Sequence, residues 1–371
     1  MAEYRNRNRI LYPLGVTQEE NGVHILVQGR AGEVRLLLYR PGEKKPCEEI
    51  SFDPKYRMGD VWELALDRTD FASFEYNFMI DGKIVADPNA RVITGREKWA
   101  DRKRAGKPVR SRMLSEEFDW EDDVKPETPY AETILYKLHV RGFTVHASSG
   151  VSARGTYAGV VEKIPYLKEL GITAVELMPV TEFDEIMMSS SGSSFHNAKQ
   201  EPTGYLNYWG YGPSYLYAVK TAYASRETMS AEGEFKTLVK ELHKAGIECI
   251  PEMYFTGKEL PGEILSVLRY WVEEYHVDGF HLTGFPDLSL AAEDPFLKRT
   301  KLFAENWNDV MNRRPKQGYV TPGDGAVSVE EKNLAEYNMQ FMEDMRRFLK
   351  GDEGMLSAFE LRNRRNPMEY A

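Results

Sequence analysis

The chain has 371 residues, 42% of them hydrophobic, 12% aromatic and 29% charged, which is enough for one large domain plus a smaller one. A formal net charge of −10 and a pI near 5.4 argue against nucleic acid or an anionic membrane as partner, because both demand a basic face. No stretch approaches the roughly 18 apolar residues of a membrane span, and residues 1–9 are polar and basic, without the apolar core of a secretory signal.

Residues 10–98 carry an all-β pattern. Val23–Val27 and Val34–Tyr39 are strand-like, with Gly29 and Gly32 between them. Trp62–Leu66 and Phe74–Ile80 alternate with period two, and Asp81-Gly82 turns the chain into a return strand over Lys83–Ala86. Short strands broken by Gly, Pro and Asp predict a β-sandwich over 1–98. Cys47 lies in a turn-rich stretch and Cys249 in an apolar strand, and two isolated thiols fit a reducing cytoplasm better than a disulfide framework. The stretch 99–131 is charged and holds Pro108, Pro126 and Pro129, the composition of a linker.

From 132 onward strands alternate with helices. Thr133–Val140 is the first strand. A helix on Val160, Val161, Ile164, Leu167 and Leu170 leads to a strand over Ile172–Met178. A helix on Phe235, Leu238, Val239 and Leu242 precedes a strand at Ile247–Ile250. A helix on Ile264, Leu268 and Trp271 precedes one at Val277–Phe280, and Lys301–Glu305 is the fifth. The segment 186–207, with Ser189–Ser194, is expected as a mobile loop, and the last good helix is expected over Leu334–Leu349. This rhythm predicts a (β/α)8 barrel over 132–371 that is incomplete, with about six of eight strands. The fold class expected is therefore multidomain β and α/β.

In such barrels the chemistry lies at the C-terminal strand ends, here Glu176, Glu252, His281 with Thr283, and Glu305. Retaining glycoside hydrolysis needs two carboxyl groups about 5–5.5 Å apart, and a threonine hydroxyl without a base beside it is no ready nucleophile. Trp209 and Tyr211 offer flat aromatic faces against which pyranose rings pack. No His, Cys or Asp group has the spacing of a metal site and no Gly-rich phosphate loop occurs, so neither a metal nor a cofactor is expected.

Several segments resemble the α-amylase family of glycoside hydrolases, on its pullulanase and isoamylase (glycogen-debranching) side. They are Asp81-Gly82-Lys83 with Asp87-Pro88-Asn89-Ala90, His139-Val140-Arg141-Gly142-Phe143-Thr144, Leu167 through Val180, and Tyr208-Trp209-Gly210-Tyr211. The resemblance covers nearly the whole chain. It implies that 1–98 is the glucan-binding sandwich preceding debranching barrels, that Tyr211 stacks on a sugar and that Glu305 stands at the acid/base position. Where the family has an Asp-x-x-x-Asn-His run, this chain has Glu252 through Gly257; where the family has an Arg and a nucleophilic Asp, it has His281 and Thr283. Asn306 follows Glu305 where Pro is common.

The resemblance therefore implies an α-glucan-binding protein whose hydrolysis is impaired or lost, a pseudoenzyme with substrate contacts at Tyr211, Trp209, Glu252 and His281. One alternative is an active α-1,6- or α-1,4-glucan hydrolase with Glu305 as acid and Glu252 activating water. Another is an assembly subunit, in which a second chain completes the barrel. The expected partner is an α-glucan, with no nucleic acid and no membrane.

Overall fold

The structure, a computed structural model, describes residues 14–114, 117–188, 202–225, 229–284, 290–305 and 333–351. Its N-terminal part holds ten strands: β1 (Gly15–Glu19), β2 (Gly22–Gln28), β3 (Val34–Tyr39), β4 (Glu48–Ser51), β5 (Arg57–Met58), β6 (Val61–Leu66), β7 (Glu75–Ile80), β8 (Lys83–Val85), β9 (Val92–Thr94) and β10 (Arg110–Arg112). They form two antiparallel sheets, β1-β2-β6-β5 and β4-β3-β7-β10-β9, with β8 on the far end of β7. Period-two alternation sends Ile25, Val27, Trp62 and Leu64 of one sheet and Leu36, Leu38, Tyr76 and Phe78 of the other into a shared core. The β7–β8 turn puts both Asp81 and Gly82 at positive φ, the twist that a two-residue hairpin requires.

Strand β10 falls inside the stretch expected as linker, yet it pairs with both β7 and β9. Its charges hid it. Arg110 reaches Glu75 at 2.8 Å and lies 3.8 Å over the Tyr39 ring, so its polarity is absorbed across the sheet. Trp62 and Tyr76 are core residues. Trp99 stacks on Tyr223 and meets His139 edge-on, tying this part to the next.

The second part begins with β11 (Leu135–Leu138), followed by α1 (Val140–Thr144), α2 (Tyr157–Val161), α3 (Ile164–Glu169) and β12 (Ala174–Leu177). An excursion follows as two small ladders: β13 (Thr181–Phe183) with β16 (Ser214–Val219), and β14 (Ile186–Met188) with β15 (Pro202–Leu206). The expected loop over 186–207 thus contains a hairpin; Ser189–Ser194 lie outside the described residues. Then come α4 (Ala231–Lys244), β17 (Glu248–Phe255), α5 (Pro261–Glu274), β18 (Gly279–Gly284), β19 (Lys301–Ala304), β20 (Leu334–Glu336) and α6 (Met339–Lys350).

Among the described residues six parallel strands pair in the order β11-β12-β17-β18-β19-β20, consistent with an incomplete barrel. The sheet curls. Tyr337, just past β20, donates a 2.5 Å hydrogen bond across the interior to Glu176 on β12. Ala174, Ile250 and Phe303 fill the middle of that interior, with Leu135 and Ala335 from the two edge strands beside them. Outside, Phe235, Leu238 and Leu242 of α4 and Ile264, Leu268 and Trp271 of α5 are buried on the sheet at helical spacing.

One expectation is corrected here. The helix expected over Leu334–Leu349 begins only at Met339, where the Asn338 side chain caps it by accepting from the Phe341 amide. Leu334–Glu336 is instead the sixth strand, because pairing with β19 satisfies its backbone and places Ala335 in the interior layer. None of the described helices is long and apolar enough to cross a membrane.

Beneath the sheet, the segment before β11 is clamped by histidines. His243 on α4 bridges Asp123 (2.8 Å) and Asp278 (2.9 Å), His276 also meets Asp123 (2.8 Å), and Lys125 donates to the Val277 carbonyl. Only an imidazolium can donate through both ring nitrogens at once. Burial pulls the His243 pKa down, but the bonds and charges of Asp278 and Asp123 outweigh it and leave the pKa raised.

A raised histidine pKa gives stability that is complete below the unfolded value, about 6.5, and is lost as pH climbs through the folded one. The thermal midpoint of wild type should therefore exceed that of His243→Gln most at about pH 5.5 and progressively less towards about pH 8.5. A gap that widens with pH contradicts the clamp.

Candidate functional site

Side chains alternate along a strand, so register decides which residues meet over the interior. Glu252 pairs with His281, Lys137 with Glu176, and Tyr254 with Thr283. His281 and Thr283 share a face of β18 with Phe303 opposite His281, and Glu305, one step beyond β19, continues the face of Phe303. The C-terminal ends of five neighbouring strands thus present Lys137, Glu176, Glu252, His281, Thr283 and Glu305 at one mouth.

The buried part is one network. Lys137 Nζ lies 2.8 Å from Glu176 and 2.9 Å from Glu252. His281 Nδ1 meets Glu176 at 2.7 Å and stands 3.8 Å from Glu252, while its Nε2 is buried without a protein partner. Burial pushes the Glu176 carboxyl up, yet His281 and Lys137 together hold it below the usual carboxylate range. Burial also works against the Lys137 charge, but Glu176 and Glu252 raise its pKa overall. The Tyr337 hydroxyl rises steeply through burial and the neighbouring Glu176, and Glu252 and Glu305 add to the same field.

Above the network lies the aromatic turn after β15. Gly210 has φ +86°, and a Cβ there would meet the Phe183 ring at 2.6 Å, so only glycine makes this turn. Asn207 fixes it by accepting from the Gly210 amide and donating to the Tyr211 carbonyl. Trp209 is 53% and Tyr211 37% exposed, and Tyr211 donates to Glu252 at 3.3 Å. Burial and then Glu252 push the Tyr211 pKa up to about 12.

Thr283 is buried and its hydroxyl has a marginal bond, 3.5 Å, to the Met253 carbonyl; among the described residues no carboxylate is paired with it. Glu305 is exposed at the rim, and Asn306 lies outside the described residues. Glu176, Glu252 and His281 offer three ligand-type atoms within 4.8 Å of one another, a grouping that sequence spacing could not show because it spans three strands. The Lys137 ammonium already bridges the two carboxylates and supplies the positive charge a cation would bring, so the residues present do not fit a resident metal.

Sequence reasoning singled out Glu252, His281, Trp209, Tyr211, Thr283 and Glu305; the structure brings Glu252, His281, Thr283 and Tyr211 together, places Glu305 on the next strand end, and packs Trp209 against His139 and Tyr208. It missed Lys137 and Tyr337, and it named Glu176 as a strand end without giving it a substrate contact. Lys137 carried one usable signal, an inward parity with Leu135 on β11; Tyr337 carried none, since its strand was not expected.

The sequence signature of the α-amylase catalytic domain matches residues 137–255. A chloroplastic isoamylase 3 from Oryza sativa subsp. japonica is 30% identical over 95% of this chain and 54% of its own length. A glycogen operon protein GlgX homologue from Haemophilus influenzae is 32% identical over 96% of this chain and 62% of its own. The chain therefore spans between 54% and 62% of the length of these two relatives. Among solved structures, a product complex of the glycogen-degrading pneumococcal virulence factor SpuA superposes with a TM-score of 0.63 at 21% identity, covering 80% of this chain and 37% of that one. A Paenibacillus barengoltzii pullulanase complexed with maltohexaose and α-cyclodextrin gives 0.62 at 19% identity, over 81% and 54%.

Proposed function

The chain belongs to the α-amylase family of glycoside hydrolases, with the glycogen-debranching isoamylases and pullulanases, and from that membership we propose that it binds α-glucan without turning it over. The observation carrying this reading is the contrast at the strand ends. The aromatic turn of Trp209 and Tyr211 is exposed and rigidly placed, while the position inherited for the nucleophile is a buried threonine with no base bonded to it among the described residues. The second carboxylate of the mouth, Glu252, is held by Lys137 and Tyr211, which draws its lone pairs away from activating water. Tyr211 and Trp209 receive sugar faces, Glu252 and His281 shape the floor, and Glu305 retains the acid/base position at the rim. The two antiparallel sheets, β10 included, act as a glucan-binding β-sandwich ahead of the barrel portion.

Titration with maltohexaose, followed by calorimetry, tests the binding half. Wild type should bind saturably, Trp209→Ala should weaken binding about tenfold, the size of one stacked ring, and Tyr211→Ala should weaken it by more, since both the ring and its bond to Glu252 are lost. Affinity unchanged by both substitutions places the glucan elsewhere and removes the reading.

A further inference from the structure

The resemblance to glucan-cleaving enzymes gives Lys137 no role, yet it is the cation that holds this mouth together. Glu176 and Glu252 are both buried, side by side on β12 and β17. Two like charges so placed repel, and one would take up a proton unless a cation lies between them. Among the described residues Lys137 is the closest cation to Glu252, 2.9 Å against 3.8 Å for His281 Nδ1. With Lys137 in place, the Glu252 Oε2 accepts from both the ammonium and the Tyr211 hydroxyl. That second bond matters for the ring. The Tyr211 backbone is fixed by Asn207 and Gly210, but the far end of its side chain is tied to the sheet only through Glu252 among the hydrogen bonds described. A ring pinned at both ends pays no ordering cost when a sugar stacks on it.

We propose that Lys137 is a positioning residue for glucan recognition, holding Glu252 as the acceptor that pins the Tyr211 ring at the mouth of the barrel. The inference rests on the glucan-binding reading of the same site. It also makes Lys137 act through one atom, the Tyr211 hydroxyl, and this separates it from a merely structural lysine.

The test is a double-mutant cycle on maltohexaose affinity, measured by calorimetry on the full chain. Lys137→Met and Tyr211→Phe are each expected to weaken binding about tenfold, and the double variant no further than either alone. Lys137→Arg, which keeps the charge, should stay within about threefold of wild type. If Lys137→Met does not fold, the cycle is run with Glu252→Ala and Tyr211→Phe, again with no added loss expected in the double variant. Wild-type binding with an unaffected Lys137→Met, or with losses that multiply to about a hundredfold, overturns the inference while leaving the binding reading intact. A wild type that does not bind maltohexaose overturns both.

Discussion

Thr283→Asp is expected to release no more reducing ends from pullulan than wild type does. The register places residue 283 against Tyr254, two positions beyond Glu252, in a buried setting that already holds Glu252 and Glu176. A third carboxyl there faces burial and like charge together, and both favour its protonated form over the anion a nucleophile needs. Among the described residues no arginine is paired with Thr283 either. Residue 281 is a histidine whose Nδ1 is committed to Glu176. Groups that act as a unit in catalysis return little when one is restored alone. The check is reducing-end release from pullulan and glycogen by the purified variant. A rate on the order of 1–10³ per second, ordinary for enzymes, would show that a single side chain separates this protein from its hydrolytic relatives.

Lys220→Ala is expected to produce the largest loss of stability. Lys220 is fully buried at the end of β16, with its ammonium 2.6 Å from Glu182, 2.6 Å from Glu185 and 2.8 Å from the Phe183 carbonyl. Burial draws its pKa down to about 8 even though Glu182 pulls it up, so its charge is held against a heavy desolvation penalty. Removing the lysine leaves two buried carboxylates with Arg96 on Glu182 and Arg104 on Glu185 as their remaining cations, and breaking a buried pair of this kind costs about 3–5 kcal/mol. For a domain of this size that is a fall of roughly 6–20 °C in thermal midpoint. The position also matters for architecture, since Glu182 accepts from the Thr221 amide and Thr221 in turn donates to Ile93 in the first part of the chain. A midpoint shift smaller than about 3 °C would mean that the buried pair relaxes into water and that the excursion is less tightly closed than drawn.

What the sequence disclosed depended on how local each signal was. Helix α4 and strand β17 could be read because Phe235, Leu238, Val239 and Leu242 repeat at helical spacing and Gly246 ends the run before Ile247. Strand β20 could not, because Leu334-Ala335-Glu336 is three residues long and continues the apolar rhythm of the helix behind it. Strand β10 was hidden by Arg110 and Arg112, and the charge of Arg110 is balanced by Glu75, far away in sequence.

The site divides the same way. Glu252, His281, Thr283 and Glu305 stand out as strand ends in motifs with a known pattern. Lys137 becomes meaningful only when Glu176 and Glu252 arrive beside it from two other strands. Tyr337 becomes meaningful only when the curl of the sheet carries it across to Glu176. Contacts of that kind belong to topology, and no window along the chain contains them.

The most direct test of glucan binding without turnover follows one sample through both steps. Wild-type protein is titrated with maltohexaose in the calorimeter, and the recovered sugar is then analysed by mass spectrometry after prolonged incubation, with pullulan treated in parallel. The account predicts saturable binding, maltohexaose recovered intact and pullulan of unchanged length. Shortened sugars appearing at an enzyme-like rate, and lost on Glu305→Gln, would contradict it and make this chain a hydrolase working through Glu305.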